Sequence, residues 1–492
     1  MDCILAIDQG TTSTRAILFG QDGRELGRVQ RELRQIYPRP GWVEHDVEDI
    51  WGAVRDLCAE AMAAAAAAGH RVAGVGIANQ RETTVVWRRS DGRAIHNAIV
   101  WQDRRTAPLC KRLADQGCEP LLRARTGLLP DPYFSASKIA WLLDEVPGAR
   151  QAALRGELAF GTIDSFLLWR LTGGAVHATD ATNAARTLLW DIHAQRWDPD
   201  LTRLFDIPPG LLPEVRDNVA AFGVTADGLF AERLAIGGMA GDQQAAAIGQ
   251  ACVAPGMVKS TYGTGCFVLL NTGATPVASR HRLLTTLAWR LDGRPAYALE
   301  GSIFVAGAAV QWLRDGLGLI RSADESEALA AGLADTGGVY MVPAFTGLGA
   351  PWWDPEARGA LFGLTRATGK AEIVRAALEA VCYQTADLLD AMAADLGAPI
   401  GALRVDGGMA VNGWVMQFLA DVLDLPVERP AITETTALGA ALLAGMGAGL
   451  WGSLDAVAAQ WLREARFEPA MPPERRHALL EGWRRAVTRI RA

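Results

Sequence analysis

One pattern occurs twice in this chain and constrains its fold more than anything else. Near the start, the apolar run Cys3-Ile4-Leu5-Ala6-Ile7 leads into Asp8-Gln9-Gly10-Thr11-Thr12-Ser13-Thr14-Arg15 and then into a second apolar run ending near residue 20. Past the midpoint, Met257-Val258-Lys259-Ser260-Thr261 passes through Tyr262-Gly263-Thr264-Gly265-Cys266 into the apolar run 267–271. Each is a strand, a tight polar turn and a strand, so the repetition predicts two related lobes. Other apolar runs, such as 72–78, alternate with helix-like stretches over 47–68 and 137–144. That alternation predicts an α/β chain with parallel strands. The Gly- and Pro-containing stretch 249–256 follows an Ala-rich helix, and the expected division is 1–250 and 251–492.

Composition removes several classes of function. With 492 residues, half of them hydrophobic, the chain can bury substantial cores and is no disulfide-stapled module. A net charge of -7 lacks the basic footprint that nucleic acid or an anionic membrane surface requires, so neither is an expected partner. The cysteines at 3, 58, 110, 118, 252, 266 and 382 are odd in number and form no C-x-x-C. They read as reduced thiols of a cytoplasmic protein. No apolar run is long enough to cross a bilayer, and the opening residues lack an export signal. None of the four lysines (111, 138, 259, 370) sits in a Walker A loop, no G-x-G-x-x-G follows a strand, and H-E-x-x-H is absent.

Several short constellations could carry chemistry, and each has a plainer reading. The turn 8–15 offers backbone amides and hydroxyls to an anion, with an acid that could hold Mg²⁺ through water. Taken alone, its composition favours the plainer reading, a hairpin turn whose Asp and Thr cap their own backbone. Tyr262-Gly263-Thr264-Gly265 is weak alone and gains weight only as the partner of the first turn. Asp406-Gly407-Gly408 ends a strand before a helix over about 412–423; it could admit a ligand close to the backbone or simply need positive φ. Asp242, in Gly241-Asp242-Gln243-Gln244, could be a general base toward a hydroxyl, although capping a helix is the default for such an Asp. Arg81-Glu82 follows a buried strand, and its default is a solvated ion pair worth little. Trp101, Tyr133 and Phe267 read by default as core.

Taken in order, these segments resemble the FGGY carbohydrate kinases. The resemblance also takes in Pro40-Gly41-Trp42-Val43-Glu44-His45-Asp46, Asn79-Gln80-Arg81-Glu82-Thr83-Thr84, Trp101-Gln102-Asp103-Arg104-Arg105-Thr106 and the segment 343–351, and it runs from about residue 3 to about 490. It implies two ribonuclease-H-like, actin-like ATPase lobes with an active-site cleft between them. The Arg-Glu pair points, within that family, to glycerol. The implied activity is ATP-dependent phosphorylation of glycerol to sn-glycerol 3-phosphate, the entry step of glycerol catabolism. Carried over residue by residue, the resemblance implies that Arg81, Glu82, Trp101, Tyr133, Asp242, Gln243 and Phe267 hold glycerol, with Asp242 as general base. ATP or ADP would be held by Thr11, Thr12, Ser13, Arg15, Gly263, Thr264, Gly307, Gln311, Gly408 and Asn412. Asp8 would orient Mg²⁺, through water.

Departures limit what carries over. The loop 225–233 lacks the paired glycines of relatives inhibited by fructose 1,6-bisphosphate, and 217–222 lacks the histidine of relatives activated by phosphorylation. Trp352 stands where a Tyr is more familiar, and Glu474 with His477 makes too small a set for a metal. A homo-oligomer, dimer or tetramer, is expected from the family. Two other readings stand beside this one: a kinase of the same family for another polyol or a ketose, and an actin-like ATPase that phosphorylates no small molecule.

Overall fold

In the computed structural model, which describes residues 1–354 and 356–491, the Asp2–Gln9 and Ser13–Gly20 runs pair as an antiparallel hairpin. Glu25–Glu32 continues it on one side, and Arg71–Asn79 joins it in parallel on the other. Ala235–Gly241 is parallel to Arg71–Asn79, and Val219–Val224 closes the six-stranded sheet antiparallel to it. Successive side chains of a strand face opposite ways. Cys3, Leu5, Ile7, Val75 and Ile77 therefore share a core with Ile50, Val54, Leu57 and Cys58 of the Val47–Ala67 helix.

The alternate positions of the central strands include Gly74 and Gly76, and there the Thr435–Gly447 helix lies against the sheet. A Cβ added at Gly76 would stand 2.1 Å from Ala440 O, and one at Gly238 would stand 2.4 Å from Ala444 N. On the helix itself, a Cβ at Gly439 would stand 1.8 Å from Ala245 O. Only bare glycine permits backbones this close.

This packing decides how the chain divides. Met1–Val253, Thr285–Tyr297 and Thr435–Gln460 form unit 1, while Ala254–Leu284, Ala298–Glu434 and the residues from Trp461 on form unit 2. The sequence-based division places 285–297 and 435–460 in the second half. Both fold with the first, and for the helix over 435–447 the reason is that Gly76 and Gly238 of the sheet and Gly447 of the helix let their backbones meet.

Unit 2 repeats the strand scheme. Val258–Tyr262 and Cys266–Gly273 form an antiparallel hairpin, and Leu403–Asp406 runs parallel to Val258–Tyr262. Val427–Pro430 and Arg463–Phe467 extend the sheet. The core includes Val258, Tyr262, Val405, Tyr383 and Trp483, with the long Lys370–Leu396 helix as its main apolar layer. Among the described residues, no helix is long and apolar enough to cross a membrane. All seven cysteines are free thiols, and burial pushes those of Cys58, Cys110 and Cys266 up to about 12, which leaves them unreactive near neutrality.

Candidate functional site

Strand register sets the site in unit 1. Gln9 pairs with Asn79 and Asn79 with Gly241, so three strands end level at their carboxyl ends. The chain leaves all three strands at one edge of the sheet, through the Gly10–Thr12 turn, the Gln80–Glu82 segment and Asp242. In parallel arrangements, that edge is where strand ends expose backbone and side chains to a ligand.

Arg81 organises this edge. Its Nε lies 3.1 Å from Asp242 Oδ1, Nη1 donates to Gln244 Oε1 at 3.3 Å, and Nη2 donates to the Tyr133 hydroxyl at 3.4 Å. The Arg81 and Glu82 side chains are 2% and 1% exposed, so the expectation of a solvated ion pair fails. A buried pair is costly to break, about 3–5 kcal/mol when one partner is removed. Glu82 adopts φ 61°, a left-handed conformation uncommon for its type. The Thr84 and Ser135 hydroxyls stabilise it by donating to its carbonyl at 2.9 and 3.0 Å. The Lys138 ammonium donates to the carbonyls of Tyr133 and Phe134, fixing the backbone that carries the Tyr133 ring; burial pushes that ammonium down to about 8.

Asp242 is the first residue of the Asp242–Gly249 helix, and Gly241 occupies the cap position. The capping expectation is therefore corrected. The carboxylate does accept from the amide of Gln243 at 2.7 Å, but it also faces Arg81, and the Asp242 side chain is 28% exposed. A carboxylate fixed by a buried guanidinium yet open to solvent can receive a proton from a hydroxyl brought to it. Gln243 is buried beside it.

The first turn is stitched to this edge by glutamines. Gln80 Nε2 donates to Gln9 Oε1 and to Gly10 O, and Gln35 donates to Thr11 O. Trp101 donates its indole N–H to the Thr11 hydroxyl at 2.9 Å and meets Tyr133 edge to face at 5.5 Å. Thr12 is exposed, and Ser13 pairs across the neighbouring strands with Glu32. Arg15 Nη1 is 3.4 Å from Asp8 Oδ2, its antiparallel neighbour. Among the described residues, no cluster of three or more His, Cys, Asp or Glu could cage a metal. One strand-end carboxylate fits a cation that keeps most of its waters, as Mg²⁺ does.

In unit 2, Gly263 and Thr264 form an exposed turn braced by backbone bonds. Gly307 N donates to Gly263 O at 3.0 Å, and Ala306 and Ala308 donate to Thr264 O. A Cβ on Gly307 would stand 2.6 Å from Gly263 O. Gln311 ends the short Gly307–Gln311 helix and is exposed. Gly407, at φ +87°, passes Tyr262 so closely that a Cβ would stand 2.5 Å from its carbonyl. Nothing lies within 4 Å of a Cβ on Gly408. Asn412 caps the Gly413–Leu423 helix, accepting from Val415 N at 3.0 Å. Phe267 is half-buried on the strand after the turn.

Sequence reasoning missed Arg186, which is fully buried and whose Nε lies 2.6 Å from Glu82 Oε1. A signal was available: Arg186 sits between Asp180 and Asp191 in a stretch of small and apolar residues that ends in Leu188-Leu189-Trp190, and an arginine buried with such a stretch needs a counter-charge. A buried polar network was missed as well. Asn79 bonds Asp164 and Asn183, Asn183 bonds Asp180, Asn218 bonds Asp180, and Gly241 N donates to the Thr182 hydroxyl. Burial raises the Asp164 carboxyl, and the charge of Asp180 raises it further.

Comparison with known proteins is consistent along the whole chain. Residues 3–249 match the N-terminal domain model, and residues 258–448 the C-terminal domain model, of the FGGY family of carbohydrate kinases. A glycerol kinase of Rhodospirillum centenum is 65% identical over 490 residues, covering 100% of this chain and 98% of that protein. Glycerol kinase 1 of Pseudomonas aeruginosa is 60% identical, covering 99% of each. Among solved structures, a Plasmodium falciparum glycerol kinase with ADP superposes with a TM-score of 0.93 at 36% identity, covering 100% of this chain and 98% of that one. A xylulose kinase of Lactobacillus acidophilus shares the fold, with a TM-score of 0.86 at 22% identity, covering 98% of this chain and 96% of that one.

Proposed function

We infer that this chain, which belongs to the FGGY family of carbohydrate kinases, transfers the γ-phosphoryl group of ATP to a terminal hydroxyl of glycerol. The observation that carries the reading is the buried Arg81 guanidinium, which joins Asp242, Gln244 and Tyr133 at the strand ends of unit 1. Relatives 60–65% identical over the full chain bear the name glycerol kinase, and a 36% identical structure was solved with ADP.

Glycerol is neutral, small and flexible. Recognising it takes charged hydrogen-bond partners for its hydroxyls and a flat apolar surface for its carbons. Arg81 donates, Glu82 accepts, Gln243 adds an amide, and Trp101, Tyr133 and Phe267 supply the aromatic surface. The terminal hydroxyl oxygen forms a bond to the γ-phosphorus, the bond from phosphorus to the bridging oxygen breaks and leaves ADP, and the hydroxyl proton passes to Asp242. Because the transition state is loose, the base need not be strong; it has to be correctly placed. Its salt bridge to Arg81 suits it to placement more than to basicity.

Thr11, Thr12, Ser13, Arg15, Gly263 and Thr264 are assigned to phosphate binding, where backbone amides and hydroxyls neutralise developing charge. Gly307, Gln311, Gly408 and Asn412 are assigned to the rest of the nucleotide. When bound, Mg²⁺ would neutralise phosphate charge, and Asp8 is the residue that would orient its waters.

A coupled ADP-release assay over glycerol, dihydroxyacetone, erythritol, xylulose and no acceptor tests the reading. Release that depends on glycerol is expected. Preference for xylulose or erythritol would favour a family kinase of another specificity, and release indifferent to every acceptor would favour an ATPase.

A further inference from the structure

We propose that Arg186 is a positioning residue for acceptor recognition: it holds the Glu82 carboxylate in the orientation and charge state in which glycerol hydroxyls can donate to it. The inference rests on the function proposed above and adds a residue to it.

The geometry distinguishes the two arginines near Glu82. Arg186 Nε lies 2.6 Å from Glu82 Oε1, whereas Arg81 Nε lies 3.9 Å from the same oxygen. Arg81 is directed elsewhere, to Asp242, Gln244 and Tyr133. A short charge-assisted bond thus ties the Glu82 carboxylate to Arg186. Both side chains of that pair are essentially inaccessible to solvent. A carboxylate so buried keeps its charge only beside a cation, and a protonated Glu82 would offer a donor where the substrate needs an acceptor.

Arg186 also touches a second residue of the same surface. Its guanidinium carbon stands 5.5 Å from the Tyr133 ring centre and 5.3 Å from that of Phe134, within cation–π range. The segment bearing it is itself fixed. Asp180 caps the Ala181–Ala184 helix, Arg186 N donates to Asn183 O, and the Thr182 hydroxyl accepts from Gly241 N, one residue before Asp242. Asn183 exchanges amide bonds with Asn79, two residues before Arg81. The backbone that delivers Arg186 is thus tied to those that deliver Arg81 and Asp242. The left-handed backbone at Glu82 adds a reason for an external clamp, since a residue in that conformation lacks the ordinary local support of a strand or helix.

The test compares glycerol and ATP saturation in the full-length wild type, R186K, R186Q, E82Q and the double variants E82Q/R186K and E82Q/R186Q. Loss of a buried, hydrogen-bonded charge partner should raise the glycerol KM of R186Q by ~30-fold or more, with the ATP KM within about twofold. R186K keeps the charge without the planar fork and should fall between it and wild type, a partial rescue. If Arg186 acts through Glu82, replacing Arg186 in the E82Q background should add less than about threefold. Should R186Q fail to fold, R186K against E82Q/R186K decides the matter. Unchanged glycerol saturation in folded R186K and R186Q, equal fold-changes with and without Glu82, or a parallel loss of ATP saturation would each overturn the proposal. A wild type that releases no ADP with glycerol would instead overturn the function on which it rests.

Discussion

Arg81 Nε and Asp242 Oδ1 lie 3.1 Å apart, although they follow two different strands of one sheet. The contact places the proposed base and a proposed substrate ligand in one unit, with the guanidinium 2% exposed and the carboxylate 28% exposed. Placement of the carboxylate is thereby settled before any substrate arrives, which is the condition under which a weak base can serve phosphoryl transfer.

Replacing the carboxylate by its amide tests the role of Asp242 with little change in shape. D242N should lose at least ~10²-fold in kcat, with glycerol binding by calorimetry largely retained. Near-normal turnover would remove Asp242 from the mechanism.

Arg81 holds Asp242, Gln244 and Tyr133 together, so its removal should act on the acceptor and spare the nucleotide. In R81A, glycerol saturation should weaken by ~30-fold or more while ADP affinity stays close to wild type. An unchanged glycerol KM would mean that the acceptor binds elsewhere.

The seating of the Thr435–Gly447 helix predicts a stability effect remote from the chemistry. A methyl at Gly439 would press on the backbone carbonyl of Ala245, and backbone cannot step aside as a flexible side chain can. G439A should cost about 2–3 kcal/mol or more, read as a lower denaturation midpoint. A midpoint equal to wild type would show that the helix can shift without loss.

His45 predicts an acid limb of stability. Its Nε2 meets Gln35 Oε1 at 2.9 Å, and its Nδ1 meets Gln80 Nε2 at 3.2 Å, an arrangement suited to the neutral ring. Burial pushes it down to about 4. The unfolded chain, with an ordinary histidine value near 6.5, takes up this proton first as pH falls, so it binds more protons than the folded chain between those values. Stability is full above about 6.5 and declines as pH drops toward 4. The loss is on the order of 3 kcal/mol for a shift of this size. H45Q should show a shallower decline in urea midpoint across that window, with His177, also pushed down to about 4, contributing equally to both proteins. Identical slopes would assign the acid limb to other groups.

Much of this protein was determined by local sequence. The two strand-turn-strand units, the helix over 47–67 and the Asn412-capped helix follow from apolar period, turn chemistry and capping, all of which act within a few residues. The turns at Gly10–Thr12 and Gly263–Gly265, and the acid following Gly241, were legible for the same reason. Tertiary structure alone decided what their neighbours are. Nothing local to Arg81-Glu82 says that the pair is buried, or that Arg186 rather than Arg81 makes the short bond to Glu82. Nothing local to 435–447 says that this helix returns to the first sheet, since the glycines that admit it lie on both partners and matter only when brought together. Burial and pairing of charge are properties of surroundings assembled from distant parts of the chain, and no window of sequence contains them.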